Sequence, residues 1–459
     1  MLNDGTGRRP RLYPTRISGS FEKVHVASGW LLLAILFVTP WIPIGGHPMV
    51  HIDLPERRFY VLGMTLSALD TPIIWLSLLI GALLLGLVTS LLGRVWCGYA
   101  CPQTVFLHEI VHKLEAWIEG NRGARRRLDD APWTSTKIAK KSLKWSLFAL
   151  VSGAIALTGV SYFAPAGEVW TGASSSTVYS VAAAGAALLF VDLAWFREQF
   201  CNYLCPYARI QSVLQDPHTV SVGYDVGRGE PRRGTVRAGS LGGPIDLSGN
   251  APRVLGKGEC VDCGLCVAVC PQGIDIRHGF QLECISCARC VDACTSVMQR
   301  RNLPSLIHYT TEARLQGLPA AGRRVRPFIY AGMIAVLGIA LAALVHDHAH
   351  VDATVTRMPG DLFTILPDGS TQNQFRAHVL NYSDTPQAYR VSVRGLEGAE
   401  VVSPSSSVPV PPGKELDLPV FVIMPPGSPK TRTTGFEIVI SSGSDEVARP
   451  ATFKTAAKE

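Results

Sequence analysis

No cysteine follows Cys294 in this chain of 459 residues, although 12 are present up to that point. The C-terminal part therefore lacks the disulfide framework usual in exported domains. Charge is sparse too: Asp, Glu, Lys and Arg make up 17% of the residues against 47% apolar, and mean hydropathy is +0.20. That balance points to a membrane protein. Further absences limit the chemistry. There is no glycine-rich dinucleotide loop, no flavin site and no Cys-x2-Cys-His haem motif, so the source of any electrons is not written in the chain. The net charge of +7 comes without a nucleic-acid motif, and its clustering reads as topology.

Five stretches are apolar enough to cross a bilayer: 24–43, 71–93, 145–165, 178–196 and 327–345. Each has about the 20 residues a spanning helix needs. The first is not a cleavable signal, since about 20 residues precede it and no small-residue cleavage site follows. Lys and Arg crowd three places: the N-terminus (Arg8, Arg9, Arg11, Arg16, Lys23), the segment from Arg122 to Lys144, and the start of the fifth span (Arg323, Arg324, Arg326). The connection between the third and fourth spans has none. The positive-inside rule then puts the N-terminus in the cytoplasm and, with five spans, the C-terminal region outside. All the cysteines fall on the cytoplasmic side, where a reducing compartment keeps thiols free for metals.

The expected organisation is a basic N-terminus (1–23), a four-helix membrane domain (24–218), an irregular linker rich in Gly, Arg and Pro (219–258), a cysteine-rich module (259–300), the fifth span (327–345) and an exported domain (352–459). Short alternating runs in the last part, such as "DLPVFVIM", separated by turn residues, read as an all-β immunoglobulin-like sandwich. The fold class is thus an integral membrane protein with an inserted α+β ferredoxin domain and a β-sandwich.

"CVDCGLCVAVCP" places Cys260, Cys263, Cys266 and Cys270 in the bacterial two-cluster ferredoxin run, and "CISCARCVDAC" repeats it with Cys284, Cys287, Cys290 and Cys294. Because the fourth cysteine of each run serves the other cluster, one [4Fe–4S] is assigned to Cys260, Cys263, Cys266 and Cys294, the other to Cys284, Cys287, Cys290 and Cys270. Zinc also accepts four thiolates but rarely uses this triple spacing twice in tandem.

A shorter repeat, Cys-x-Tyr-x-Cys-Pro, occurs as "CGYACP" from Cys97 and "CNYLCP" from Cys201, each after a pair of spans. If the inward spans run on as helices, Cys97 and Cys101, and likewise Cys201 and Cys205, share one helix face four residues apart. Two soft thiolates suit Cu(I); zinc, or a cluster shared by all four, would also fit, and ligand softness favours copper.

"GRVWCGYACPQTV", "CNYLCPYAR", "YDVGRGEPR" and the double cysteine run together resemble the cytochrome c oxidase accessory family known as CcoG, FixG or RdxA. The resemblance implies a cytoplasmic-side Cu(II) reductase in assembly of cbb3-type oxidase, with Cys97, Cys101, Cys201 and Cys205 as its catalytic copper sites. Copper would be the bound substrate. It also implies a cytoplasmic electron donor, a copper chaperone or transporter and oxidase assembly factors as partners, and leaves a homodimer open. Two rivals stand beside it: a quinol dehydrogenase resembling the membrane ferredoxins of nitrate and nitrous oxide reduction, and a non-catalytic assembly scaffold with redox-sensing clusters.

His108-Glu109-x2-His112 has zinc-protease spacing but no third ligand and no further signature, so an amphipathic interfacial helix is expected there, with a supporting role open to His108 near Cys101. Asp192, near the end of the fourth span, divides evenly between function and simple surface placement. The outer histidines His47, His51, His346, His348 and His350 read as polar juxtamembrane linkers rather than copper ligands.

Overall fold

Five helices long and apolar enough to cross a membrane span Ser20–Trp41, Thr71–Leu92, Ser135–Val160, Ser176–Phe196 and Val325–His346. They belong to a computed structural model describing residues 12–455 except 56, 67–69, 233–257, 320–323, 347–350, 382–385, 404–407, 412–413, 428–430 and 443–444. Arg8, Arg9, Arg11, Arg323, His348, His350 and most of the expected linker lie outside the described residues. One unit comprises residues 1–62 and 66–341, the other 63–65 and 342–459.

The ends of the spans follow from local chemistry. Pro72 sits in the first turn of the second span, where a missing N–H is harmless, and Gly93 ends that span at φ 60°. The third span starts at Ser135 rather than at 145, capped by the Thr134 side chain on Lys137 N. Its extra turns carry Lys137, Lys141 and Lys144, all buried. Hydropathy alone misses these turns because their cations are neutralised by partners far away in sequence: Lys141 and Lys144 reach Glu119 at 2.7 and 2.8 Å. The membrane core joins Leu33, Leu107, Val111, Phe148 and Leu193, so the segment after Cys101 packs among the first, third and fourth spans.

That packing corrects the reading of the His-Glu-x2-His stretch. Phe106–Val111 is a π-helical turn with His108 and Glu109 buried, not an amphipathic interfacial helix. Burial is tolerable because the acids are paired: Glu109 with Lys113, and Glu115 with Arg125 and Arg197.

The cysteine-rich module begins earlier and ends later than its cysteines. Val220–Tyr224 pairs antiparallel with Ile307–Thr311, and Val222, Tyr224, Leu306 and Ile307 enter the core around the cysteine loops. The start of the expected irregular linker is thus a strand, followed by the short helix Val226–Gly229. Turn-rich composition hid a strand that has its partner about 85 residues further along the chain.

This module is fastened to the membrane helices. The Asp292 carboxylate accepts from Phe21 N and Glu22 N at 3.3 and 2.8 Å, capping the first span from outside. Arg289 pairs with Glu22 at 2.8 Å, and His25 Nε2 meets the Cys287 carbonyl at 2.7 Å.

The second unit has two antiparallel sheets. One orders Glu400–Val402, Glu415–Met424, Thr371–Asn381 and Val351–Arg357, with Thr364–Ile365 at its edge; the other orders Val408–Val410, Gln387–Arg394, Thr433–Ser442 and Asp445–Lys454. Alternate residues of Glu415–Met424 (Leu418, Val420, Val422, Met424) are buried, as a strand with one core face requires.

Candidate metal centres

All 12 cysteines are free thiols. Cys260, Cys263, Cys266 and Cys294 line one cavity, walled by Tyr224, Leu306 and Ile307. Cys270, Cys284, Cys287 and Cys290 line a second, with Ile276 and Ile285; Cys266 touches both. The fourth cysteine of each run therefore reaches into the other run's cavity. Both runs curl alike: the residues flanking the second cysteine, Asp262 and Gly264 in one, Ser286 and Ala288 in the other, all take positive φ between 52° and 65°. Helix Arg289–Met298 delivers Cys290 to one cavity and Cys294, a turn later, to the other. Four sulfurs in an apolar chamber fit an iron–sulfur cluster. Burial pushes the Cys266 thiol up to about 11 and Cys270 up to about 12, with Cys284 at about 11. A metal must displace those protons.

The paired cysteines are not on continuous helices. Helix Val95–Tyr99 holds Cys97, but Cys101 is extended (φ −65°, ψ 126°) and caps the next helix, which opens on Pro102. Cys201 lies in the π-helical turn Phe200–Leu204, and Cys205 is extended ahead of Pro206. The proline acts one step earlier than a helical reading assumes, since it disfavours helical backbone in the residue before it. Each pair thus straddles a break instead of sharing a helix face.

The two pairs nevertheless meet. Cys201 interacts electrostatically with Cys101, Cys97 and Cys205, and burial with these neighbours pushes its thiol up to about 12. Cys97 is pushed up to about 11, burial first and Cys101 next, while its Sγ donates to the buried Gln211 Oε1 at 3.2 Å. Arg94, buried, interacts with Cys97, Cys201 and Cys284 together and donates to the Ala208 carbonyl at 2.6 Å. Among the described residues no three His, Cys, Asp or Glu side chains gather around one point suited to a single metal ion. That holds for His47 as well, which stacks on Tyr60 at 3.9 Å, and for His51.

One residue inside each repeat touches the wall of the second cysteine cavity. A Cβ on Gly98 would stand 2.6 Å from the Ile285 carbonyl oxygen and 3.2 Å from Cys287 Cα, so only glycine lets the Cys97–Cys101 loop lie on the Cys284–Cys287 loop. The other repeat makes its contact through the equivalent residue: Asn202 Nδ2 donates to Gln272 Oε1 at 3.2 Å, two residues beyond Cys270. Tyr99 stacks on His25 at 3.9 Å and its hydroxyl meets Tyr309 at 3.2 Å. Replacing Gly98 with valine is expected to force these loops apart. Iron content should stay unchanged while the detergent-purified variant unfolds at lower temperature, since overpacking costs about 1–3 kcal/mol.

Several positioning residues escape a motif search. Arg197 takes φ 54°, ψ −128°, strained for a side chain. It is held there by two hydrogen bonds to Glu115, at 2.8 and 3.0 Å, and its carbonyl accepts from Gln103 Nε2 at 3.2 Å. Gln103 follows Cys101 by two residues and Arg197 precedes Cys201 by four, so this strut links the two pairs. His112 closes it from the side, 3.0 Å from Glu198. The sequence signal was an acid-rich helix, Glu109, Glu115 and Glu119, beside apolar spans. Asp192 lies in the same neighbourhood: its Oδ1 is buried without a hydrogen-bond partner, and Cys201 senses its charge.

Three family models match parts of the chain. Residues 196–312 match a 4Fe-4S dicluster domain, 74–125 a 4Fe-4S binding domain, and 341–455 the IG-like fold at the C-terminus of FixG. Protein RdxA of Cereibacter sphaeroides is 35% identical over 85% of this chain and 83% of its own length. Protein RdxB of the same organism is 33% identical over 92% and 90%, and nitrogen fixation protein FixG of Rhizobium meliloti is 31% identical over 94% and 90%.

Proposed function

This chain belongs to the FixG/RdxA family of iron–sulfur membrane proteins, and from that premise we propose that it reduces Cu(II) to Cu(I) for assembly of a cbb3-type cytochrome c oxidase. The supporting observation is the seat of Gly98, the residue after Cys97, on the Ile285–Cys287 backbone that walls the second cysteine cavity. Cys260, Cys263, Cys266 and Cys294 hold one [4Fe–4S] cluster, and Cys270, Cys284, Cys287 and Cys290 the other. Bound there, the clusters supply one-electron transfer at low potential.

Copper is the substrate. Cys97, Cys101, Cys201 and Cys205 receive it, and one electron per ion converts Cu(II) to Cu(I). Soft sulfur ligands stabilise the reduced ion, and the thiol protons leave as the metal binds. A chaperone with similar soft ligands then takes the Cu(I) by exchange. In this reading the cysteines face the cytoplasm of a bacterial inner membrane, where a soluble donor supplies the electrons, and the sandwich lies outside.

The test uses anaerobic, detergent-purified protein with reduced clusters and no excess reductant. Added Cu(II) should bleach the reduced state and yield one Cu(I) per electron, trapped by a Cu(I)-specific chelator. Oxidation by a soluble quinone but not by Cu(II) would move the assignment to quinol chemistry. Clusters that neither acceptor oxidises would leave a scaffold.

A further inference from the structure

A cavity of about 230 Å3 lies between residues 14–17, the helix after Cys101 and the start of helix Arg122–Asp130. Its polar wall is basic: Arg16, Lys113, Arg122, Arg125 and Arg289 face it, and Glu22 is the lone acid among its lining residues. Three of the cations have carboxylate partners: Lys113 with Glu109, Arg125 with Glu115, and Arg289 with Glu22. Arg16 and Arg122, both exposed, have no carboxylate partner among the described residues; Arg16 reaches the Lys113 carbonyl at 3.4 Å. The N-terminus of a nine-residue helix enters through Gly120, Asn121 and Arg122, adding its positive end.

An independent observation marks this as a site for a ligand. His108 lines the cavity at 5% exposure, and its Nδ1 has no hydrogen-bond partner. A buried imidazole nitrogen left open costs stability unless something fills it. Burial holds His108 well below the usual histidine range, so the ring is neutral and offers one N–H and one lone pair.

We propose that this cavity binds a phosphate group, with Arg16 and Arg122 as its unspent charge partners and His108 in its inner wall. Guanidinium forks match the oxygens of a tetrahedral oxyanion, and the chamber has room for more than a monatomic ion. The group comes either from an anionic phospholipid headgroup or from a soluble phosphorylated solute. Arg289, which faces this cavity, lies between Cys287 and Cys290 in the chain.

The experiment uses the delipidated full-length protein and an Arg16→Ala/Arg122→Ala variant at one ionic strength, with visible cluster absorbance confirming that both are folded. Inorganic phosphate is titrated by calorimetry, and retention of phosphatidylglycerol against phosphatidylcholine is read by native mass spectrometry. Wild type should bind phosphate, or retain phosphatidylglycerol preferentially, and the variant should lose roughly tenfold in affinity, as expected on losing charge-assisted hydrogen bonds. Phosphate binding identifies a soluble source; selective phosphatidylglycerol retention alone identifies a lipid. Binding of neither probe, or equal binding by wild type and variant, overturns the proposal.

Discussion

A Cys270→Ala/Cys287→Ala variant is expected to lose about half of the bound iron and keep the other half as an intact cluster. A Cys263→Ala/Cys294→Ala variant should do the same for the opposite half. Each double change takes one cysteine from each run, but both from a single cavity. Were each run to hold its own cluster, every such variant would damage both, and almost all iron would be lost. Iron analysis with low-temperature EPR of the reduced proteins separates these outcomes. The two variants should also differ in kind. The Cys270/Cys287 cavity is the one on which Gly98 and Asn202 rest, so its loss should disconnect the surviving cluster from copper.

Glu115→Ala should be the most damaging change among the charged residues. Glu115 is 1% exposed and answers Arg125 and Arg197 together, with Lys144 at 3.7 Å. Removing it takes the nearest carboxylate from the buried Arg125 and Arg197, a cost of about 3–5 kcal/mol. The exposed pair Arg126–Asp130, 4.0 Å apart, is the contrast: its removal should change stability by no more than about 0.5 kcal/mol. Thermal unfolding of detergent-purified variants measures both.

Acid should act through the same residue. Burial alone would raise the Glu115 pKa, but Arg197, His112 and Arg125 outweigh it and hold the carboxyl well below its ordinary value of 4.5. A depressed folded-state pKa contributes stability above the ordinary range, lost as pH falls through the lowered value. The unfolding midpoint should therefore drop on acidification below about 4.5, and less steeply in Glu115→Ala.

The spans, the double cysteine run and the sandwich were legible because each is a local pattern: apolar length, fixed cysteine spacing, period-two alternation. What escaped depends on partners remote in sequence. The early turns of the third span look too charged for a membrane helix until Glu119 is placed beside Lys141 and Lys144. The strand Val220–Tyr224 looks like linker until Ile307–Thr311 lies beside it. The helical geometry expected for Cys97 and Cys101 failed at the residue before Pro102, where the backbone turns extended. The zinc-protease spacing of His108 and His112, lacking a third ligand, reads as an interfacial helix, yet both rings lie beside a buried ion network that only the tertiary fold assembles. Nothing in the motif "CGYACP" announced that its glycine is the contact with the iron–sulfur module.

The central claim is that electrons leave the clusters for copper through the paired thiols. Its most direct test is Cu(II) addition to a reduced Cys97→Ala/Cys201→Ala variant with full iron content, beside wild type. The account predicts that wild-type clusters are oxidised with matching Cu(I), while the variant's stay reduced over the same interval. Equal rates of cluster oxidation in the two proteins would contradict it.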